Sequence, residues 1–106
     1  QEEAFKKMKA GVACKEVDKA ARDTIVNAGY GEFFGHGLGH GVGVEIHELP
    51  SLNPSSEAVL EKGNIVTNEP GIYLPGEFGV RIEDMALITE EGYENLTKSE
   101  KKLIVL

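Results

Sequence analysis

A chain of 106 residues with 41 % hydrophobic and 27 % charged residues has the make-up of one globular domain or part of one. Its net charge of −7 argues against nucleic acid or an anionic membrane surface as partner. The single cysteine, Cys14, rules out an internal disulfide, and no apolar run is long enough to span a bilayer, so the expectation is a cytoplasmic protein.

Gln1 to Ala10 carries no initiator Met and no helix cap, and reads as the tail of a helix closed by Gly11. Residues 14–28 place Val17, Ala20, Ala21, Ile25 and Val26 at helical spacing, with Lys15, Asp18, Lys19, Arg22 and Asp23 mostly opposite. This predicts an amphipathic scaffold helix capped by Gly29. Residues 31–43 hold too much glycine for a helix. Val44 to His47 is expected as a short strand, residues 49–56 as a turn-rich loop, and Glu57 to Glu61 as one helical turn capped by Ser55 or Ser56.

Beyond Gly63 the pattern turns to β. Ile65 to Asn68 and Ile72 to Leu74 read as short strands separated by Pro70 and Gly71, with a turn at residues 75–77. Val80 to Thr89 is expected as the longest strand, hairpin-paired with Tyr93 to Leu96, and Lys102 to Leu106 as a short apolar strand. Strands follow helices without regular alternation, which predicts an α+β fold. The two ends together suggest the C-terminal piece of a longer protein.

The residues with chemical potential cluster. His36, His40 and His47 all lie within GHGLGHGVGVEIHELP, residues 35–50. A neutral imidazole is a common metal ligand and a near-neutral proton carrier. His36 and His40 have the four-residue spacing of a helical two-histidine metal site, but the glycines at 35, 37, 39 and 41 oppose a helix. On an unbroken strand His40 and His47 would stand roughly 23 Å apart on opposite faces. They share a site only if residues 41–43 bend. The alternating glycines do not make a dinucleotide loop, because a helix precedes them and a β segment follows. Arg81 and Glu83 alternate onto one face, as a surface ion pair or as a buried pair that needs a partner or a metal. Glu69, held extended by Pro70, is either a loop acid or a functional carboxylate.

Taken with EKGNIVTNEPGIYLPGEFGVRIEDMALIT, the histidine segment resembles the C-terminal half of pita-bread-fold metallopeptidases, and within them the Xaa-Pro dipeptidases (prolidases) and Xaa-Pro aminopeptidases. The resemblance covers essentially the whole chain. It implies an antiparallel sheet packed by helices, the creatinase/aminopeptidase-like fold, with residues 1–106 as the C-terminal part of a catalytic domain. It implies two divalent ions, of manganese, cobalt or zinc, and hydrolysis of the bond on the amino side of proline. The histidine ligand falls on His40 and the glutamate ligands on Glu69 and Glu83. His36 and His47 match substrate-side histidines, and Arg81 an arginine that supports the metal-site carboxylates. Glu69 is also the expected proton carrier.

One departure stands out. The family's two aspartate ligands, eleven residues apart, have no counterpart, since Asp18 and Asp23 lie on the amphipathic helix at the wrong spacing. The resemblance therefore implies at most three of five ligands here. The expected partners are an Xaa-Pro peptide and the rest of the catalytic domain, without which the piece is expected to be inactive. A homodimer is one oligomeric form left open. Other readings are a methionine aminopeptidase, a metal-free creatinase-like hydrolase, or a non-catalytic peptide- or protein-binding member of the same fold.

Overall fold

A computed structural model describes residues Gln1–Leu106. In chain order it contains helix α1 (Glu2–Phe5), helix α2 (Cys14–Asn27), a 3-10 turn (Gly31–Phe33) and seven strands: β1 (Gly39–Gly41), β2 (Glu48–Leu52), β3 (Ile65–Asn68), β4 (Gly71–Leu74), β5 (Phe78–Arg81), β6 (Asp84–Ile88) and β7 (Tyr93–Asn95). Five strands form an antiparallel sheet in the order β2-β1-β3-β6-β7, and β4 and β5 form a separate hairpin. The fold is α+β, as expected. No helix is long and apolar enough to cross a membrane.

The two helices pack on one face of the sheet. Ala4, Phe5 and Met8 from the first segment and Cys14, Val17 and Ala21 from α2 meet Leu38, Leu52, Leu60, Val66, Ala86 and Ile88 in one buried core. Side chains alternate across each strand, so Val66, Ala86 and Ile88 facing the helices commit Thr67 and Met85 to the opposite face. That second face carries most of the candidate site residues.

Helix α2 runs as predicted and ends where Gly29, at φ +91°, takes the left-handed conformation that a side chain disfavours. Its start has no side-chain cap. The Ala58 carbonyl accepts the Cys14 N–H instead (3.0 Å), and Leu60 exchanges backbone hydrogen bonds with Gly11 and Val12 (2.8 and 2.9 Å). This corrects the helical turn expected over 57–61: the segment is extended and bridges Ala13 through Val59, because the helix N-terminus needs an acceptor. Burial raises the pKa of the Cys14 thiol, which suits a packing role.

Four further expectations are corrected. The helix tail of residues 1–10 is helical only over Glu2–Phe5. The strand after the glycines is not 44–47 but β1 before and β2 after it; Val44 and Ile46 sit exposed in a bent connection. The long strand over 80–89 is interrupted at Ile82 and Glu83. Its first part pairs with β4 and its second with β3, so Val80 and Ile82 are exposed while Asp84, Ala86 and Ile88 are buried. Residues 102–106 form no strand, and Leu103 and Val105 are exposed.

The glycines of the histidine segment have a steric reason. A side chain on Gly39 would run into the Thr67 carbonyl, and one on Gly41 into the Leu49 carbonyl. Strand β1 is held between β2 and β3 too tightly for a Cβ at either position.

Candidate active site

Register assembles the site. In the β3–β6 ladder Thr67 faces Met85 and Asn68 faces Asp84. One step further along the two strands brings Glu69 across from Glu83, both on the face away from the helices. In the β1–β3 ladder Gly41 faces Val66, which sets His40 beside Thr67. The Thr67 hydroxyl accepts the His40 N–H at 3.0 Å, and the Leu38 carbonyl accepts the Glu69 N–H at 2.8 Å. His40, His47, Thr67, Glu69, Arg81 and Glu83 then line one open cleft of about 350 Å³, with Val42, Ile46 and Met85 as its apolar wall.

His40 is oriented by its own strand. Its Nδ1 donates to the Gly41 carbonyl at 2.8 Å, so in the neutral ring Nε2 carries the lone pair. That lone pair meets Glu69 Oε2 at 3.3 Å, and the Oε2 atom is buried with no hydrogen-bond donor. With the ring neutral the 3.3 Å contact is an approach of two electron-rich atoms; with a proton on Nε2 it is an ion pair.

Glu83 completes the acidic side. Its carboxyl is raised above the usual 4.5, first by desolvation and then by the neighbouring Glu69 carboxylate; Arg81 and His40 pull the other way. Two carboxylates so placed repel unless a proton or a cation lies between them. The His47 ring lies 4.3 Å from that of His40, centroid to centroid. The chain does bend after Gly41, and two histidines seven apart share one cleft.

These donors suit a divalent cation. Imidazole nitrogen and carboxylate oxygen are ligands for borderline-hard ions. Two ligands of one tetrahedral ion, each about 2.1 Å from it, stand about 3.4 Å from each other. The 3.3 Å separation of His40 Nε2 and Glu69 Oε2 fits that spacing. No set of three or more His, Cys, Asp or Glu side chains closes into a preformed cage.

His36 lies elsewhere. It does not line the cleft. Its Nδ1 donates to the Gly37 carbonyl (2.7 Å), repeating the arrangement of His40, and its Nε2 meets the Tyr73 hydroxyl of β4 at 2.7 Å. Its ring packs perpendicular to that of Phe34, with centroids 5.2 Å apart.

Sequence reasoning missed the residues that hold this segment. Asp18, read as part of the solvated face of α2, is buried and accepts a two-pronged ion pair from Arg22 at 2.8 and 3.0 Å. A signal was present: residues 14, 17, 18 and 21 form one i, i+3, i+4, i+7 stripe, which puts Asp18 among the core positions. Tyr73 and Thr67 gave no such signal, since their partners lie 37 and 27 residues away.

The sheet brings an imidazole from β1 and two carboxylates, Glu69 just past β3 and Glu83 just before β6, to one face, a donor set found in metallohydrolases. Residues 1–90 match metallopeptidase family M24, and the chain belongs to that family. It is 51 % identical over 104 residues to the Xaa-Pro dipeptidase of Pyrococcus horikoshii, a match covering 98 % of this chain and 30 % of that protein. It is 45 % identical over 106 residues to the Xaa-Pro dipeptidase of Lactobacillus helveticus, covering 100 % of this chain and 29 % of that one. Among solved structures, the X-Pro aminopeptidase from Thermotoga maritima superposes with a TM-score of 0.94 at 47 % identity, covering 99 % of this chain and 30 % of that one. The Xaa-Pro dipeptidase from Bacillus anthracis does so at 0.95 and 54 %, covering 98 % and 29 %. The pita-bread fold implied by the resemblance is the fold of these neighbours, and the chain spans about 30 % of their length.

Proposed function

We propose that residues 1–106 are the C-terminal part of a catalytic domain that hydrolyses the peptide bond on the amino side of proline, in a cytoplasmic protein using two divalent cations such as manganese, cobalt or zinc. The observation that carries this reading is the convergence of His40 Nε2 and Glu69 Oε2 at 3.3 Å in one cleft with Glu83. Relatives named Xaa-Pro dipeptidase at 45 to 51 % identity support the substrate class. The remaining part of the domain would supply two aspartate ligands, and the separate piece would have no turnover of its own.

In this reading His40, Glu69 and Glu83 hold the cations. When bound, these ions lower the pKa of water toward neutrality and polarise the scissile carbonyl. Glu69 takes the proton of the attacking water and passes it toward the leaving imino nitrogen. His47, at the mouth of the cleft, donates a hydrogen bond to the oxygen on which charge develops. His36 serves the substrate side, its ring set by Gly37 and Tyr73. Arg81 steadies Glu83, whose charge it favours.

The test is turnover of Xaa-Pro dipeptides and tripeptides by the full-length protein, before and after chelation. Expected is metal-dependent cleavage that the Glu83→Gln variant loses while its fold persists. Undiminished activity in that variant overturns the ligand assignment, and turnover that survives chelation points to a metal-free, creatinase-like hydrolase.

A further inference from the structure

We propose that the Asp18–Arg22 pair of α2, its carboxylate buried and its guanidinium largely so, is a positioning clamp that sets the segment carrying His36 for the reaction proposed above, on which this inference rests. The pair lies on the helical side of the sheet and touches no reacting group, yet every hydrogen bond it makes beyond itself goes to the segment that carries His36. Arg22 Nη1 donates to the Phe34 carbonyl at 3.0 Å and Nη2 to the His36 carbonyl at 2.9 Å. Its guanidinium also lies over the Phe34 ring, 4.1 Å from the centroid. Asp18 Oδ1 accepts the Leu38 N–H at 3.0 Å.

Three backbone groups in five residues are thus held by one ion pair, and the chain of contacts continues into the cleft. Leu38, fixed by Asp18 through its N–H, accepts the Glu69 N–H through its carbonyl at 2.8 Å. On the other side, Phe34 packs against the His36 ring, and His36 meets Tyr73. A planar guanidinium suits this task because its fork reaches a carboxylate and two carbonyls at once; an ammonium cannot. The Asp18 side chain is 1 % exposed and that of Arg22 24 %, so water offers little competition for these bonds. A salt bridge meant only to stabilise a helix has no need to pin an adjoining loop at three points.

The variant that separates positioning from simple stability is Arg22→Lys in the full-length protein. It keeps the charge beside Asp18 and loses the fork. Expected is a fall in kcat of about 10-fold or more, the scale on which outer partners act at such sites, with KM changed less than 2-fold. Combined with His36→Gln, the two losses should be strongly less than multiplicative, because both act through the same ring. Fully multiplicative losses, or a kcat within 2-fold of the parent, overturn the clamp. A readout independent of turnover is the ring 15N resonances of the histidines, which should shift for His36 and stay in place for His47. Unmoved His36 signals likewise overturn the proposal. If the parent protein itself cleaves no Xaa-Pro substrate, the proposed function falls, and the resonances alone decide whether the pair positions His36.

Discussion

His40 Nε2 and Glu69 Oε2 stand 3.3 Å apart, and while the ring is neutral no donor lies between them. The Gly41 carbonyl occupies the only hydrogen of the neutral ring, and the carboxylate has none to give. A buried acceptor left facing another acceptor costs free energy, of the order of 1–3 kcal/mol for an unmade hydrogen bond. A cation removes that cost, as does a proton on Nε2.

Divalent metal binding should therefore depend on His40. In the full-length protein, His40→Ala should weaken manganese, cobalt or zinc binding by at least 10-fold, as measured by isothermal titration calorimetry, while Lys19→Ala on the exposed face of α2 leaves it unchanged. Equal affinity in the parent and His40→Ala proteins would remove His40 from the ligand set.

Glu83 should make the metal-free protein sensitive to pH. Its carboxyl is raised from 4.5, foremost by desolvation and then by Glu69. The folded state thus holds this proton more tightly than the unfolded chain does. The corresponding stability is complete below 4.5 and is lost as pH rises through the raised value. Glu83→Gln removes the penalty. Metal-free, the variant should melt above the parent near pH 7, and the two should converge near pH 4. Added divalent cation should stabilise the parent more than the variant. Thermal unfolding with and without chelator tests both statements.

Gly39 is a steric requirement of the β1–β3 contact. Any Cβ there meets the Thr67 carbonyl, and backbone does not yield as a flexible side chain does. Gly39→Ala should destabilise the fold by about 1–3 kcal/mol, the usual range for overpacking. Because Thr67 also holds the His40 N–H, the substitution should weaken metal binding as well. Gly35→Ala, where nothing lies within reach of the added methyl, serves as the control in denaturant titrations.

Asp84 is next to Glu83 but belongs to the core. It is buried, pairs with Lys101 at 2.8 Å and accepts from Asn95 Nδ2 at 3.0 Å. Lys101→Met should leave that charge underpaired and cost about 1–3 kcal/mol, read as a lower denaturation midpoint. An unchanged midpoint would mean that Asn95 alone satisfies the carboxylate.

Much of this protein was legible from its residues. Helix α2 announced itself by apolar spacing and a terminal glycine, β3 by a β-branched run bounded by Gly63 and Pro70, and the β6–β7 hairpin by the turn at Glu90 to Gly92. The candidate donors were visible as chemistry, since histidines on a glycine-rich backbone and a glutamate locked ahead of proline are unusual filling for a core. The misread segments share one cause. Residues 48–52 and 57–61 take extended forms because β1 and the start of α2 need hydrogen-bond partners, a demand set by elements elsewhere in the chain. The break at Ile82 and Glu83 arises because residues 78–81 and 84–88 pair with different strands.

Local sequence, then, decided which side chains this protein has to work with and the period on which most of them sit. Their convergence was decided by register: Gly41 against Val66 and Asn68 against Asp84 bring positions 40, 69 and 83 to one face, and a slip of one residue would send each of them to the other. Pairing between strands is a property of the assembled sheet, paid in backbone hydrogen bonds and core burial across separations that no window of sequence contains. The same holds for Asp18 and Arg22, which look like a routine helix-surface pair until the chain from Phe34 to Leu38 folds back onto them.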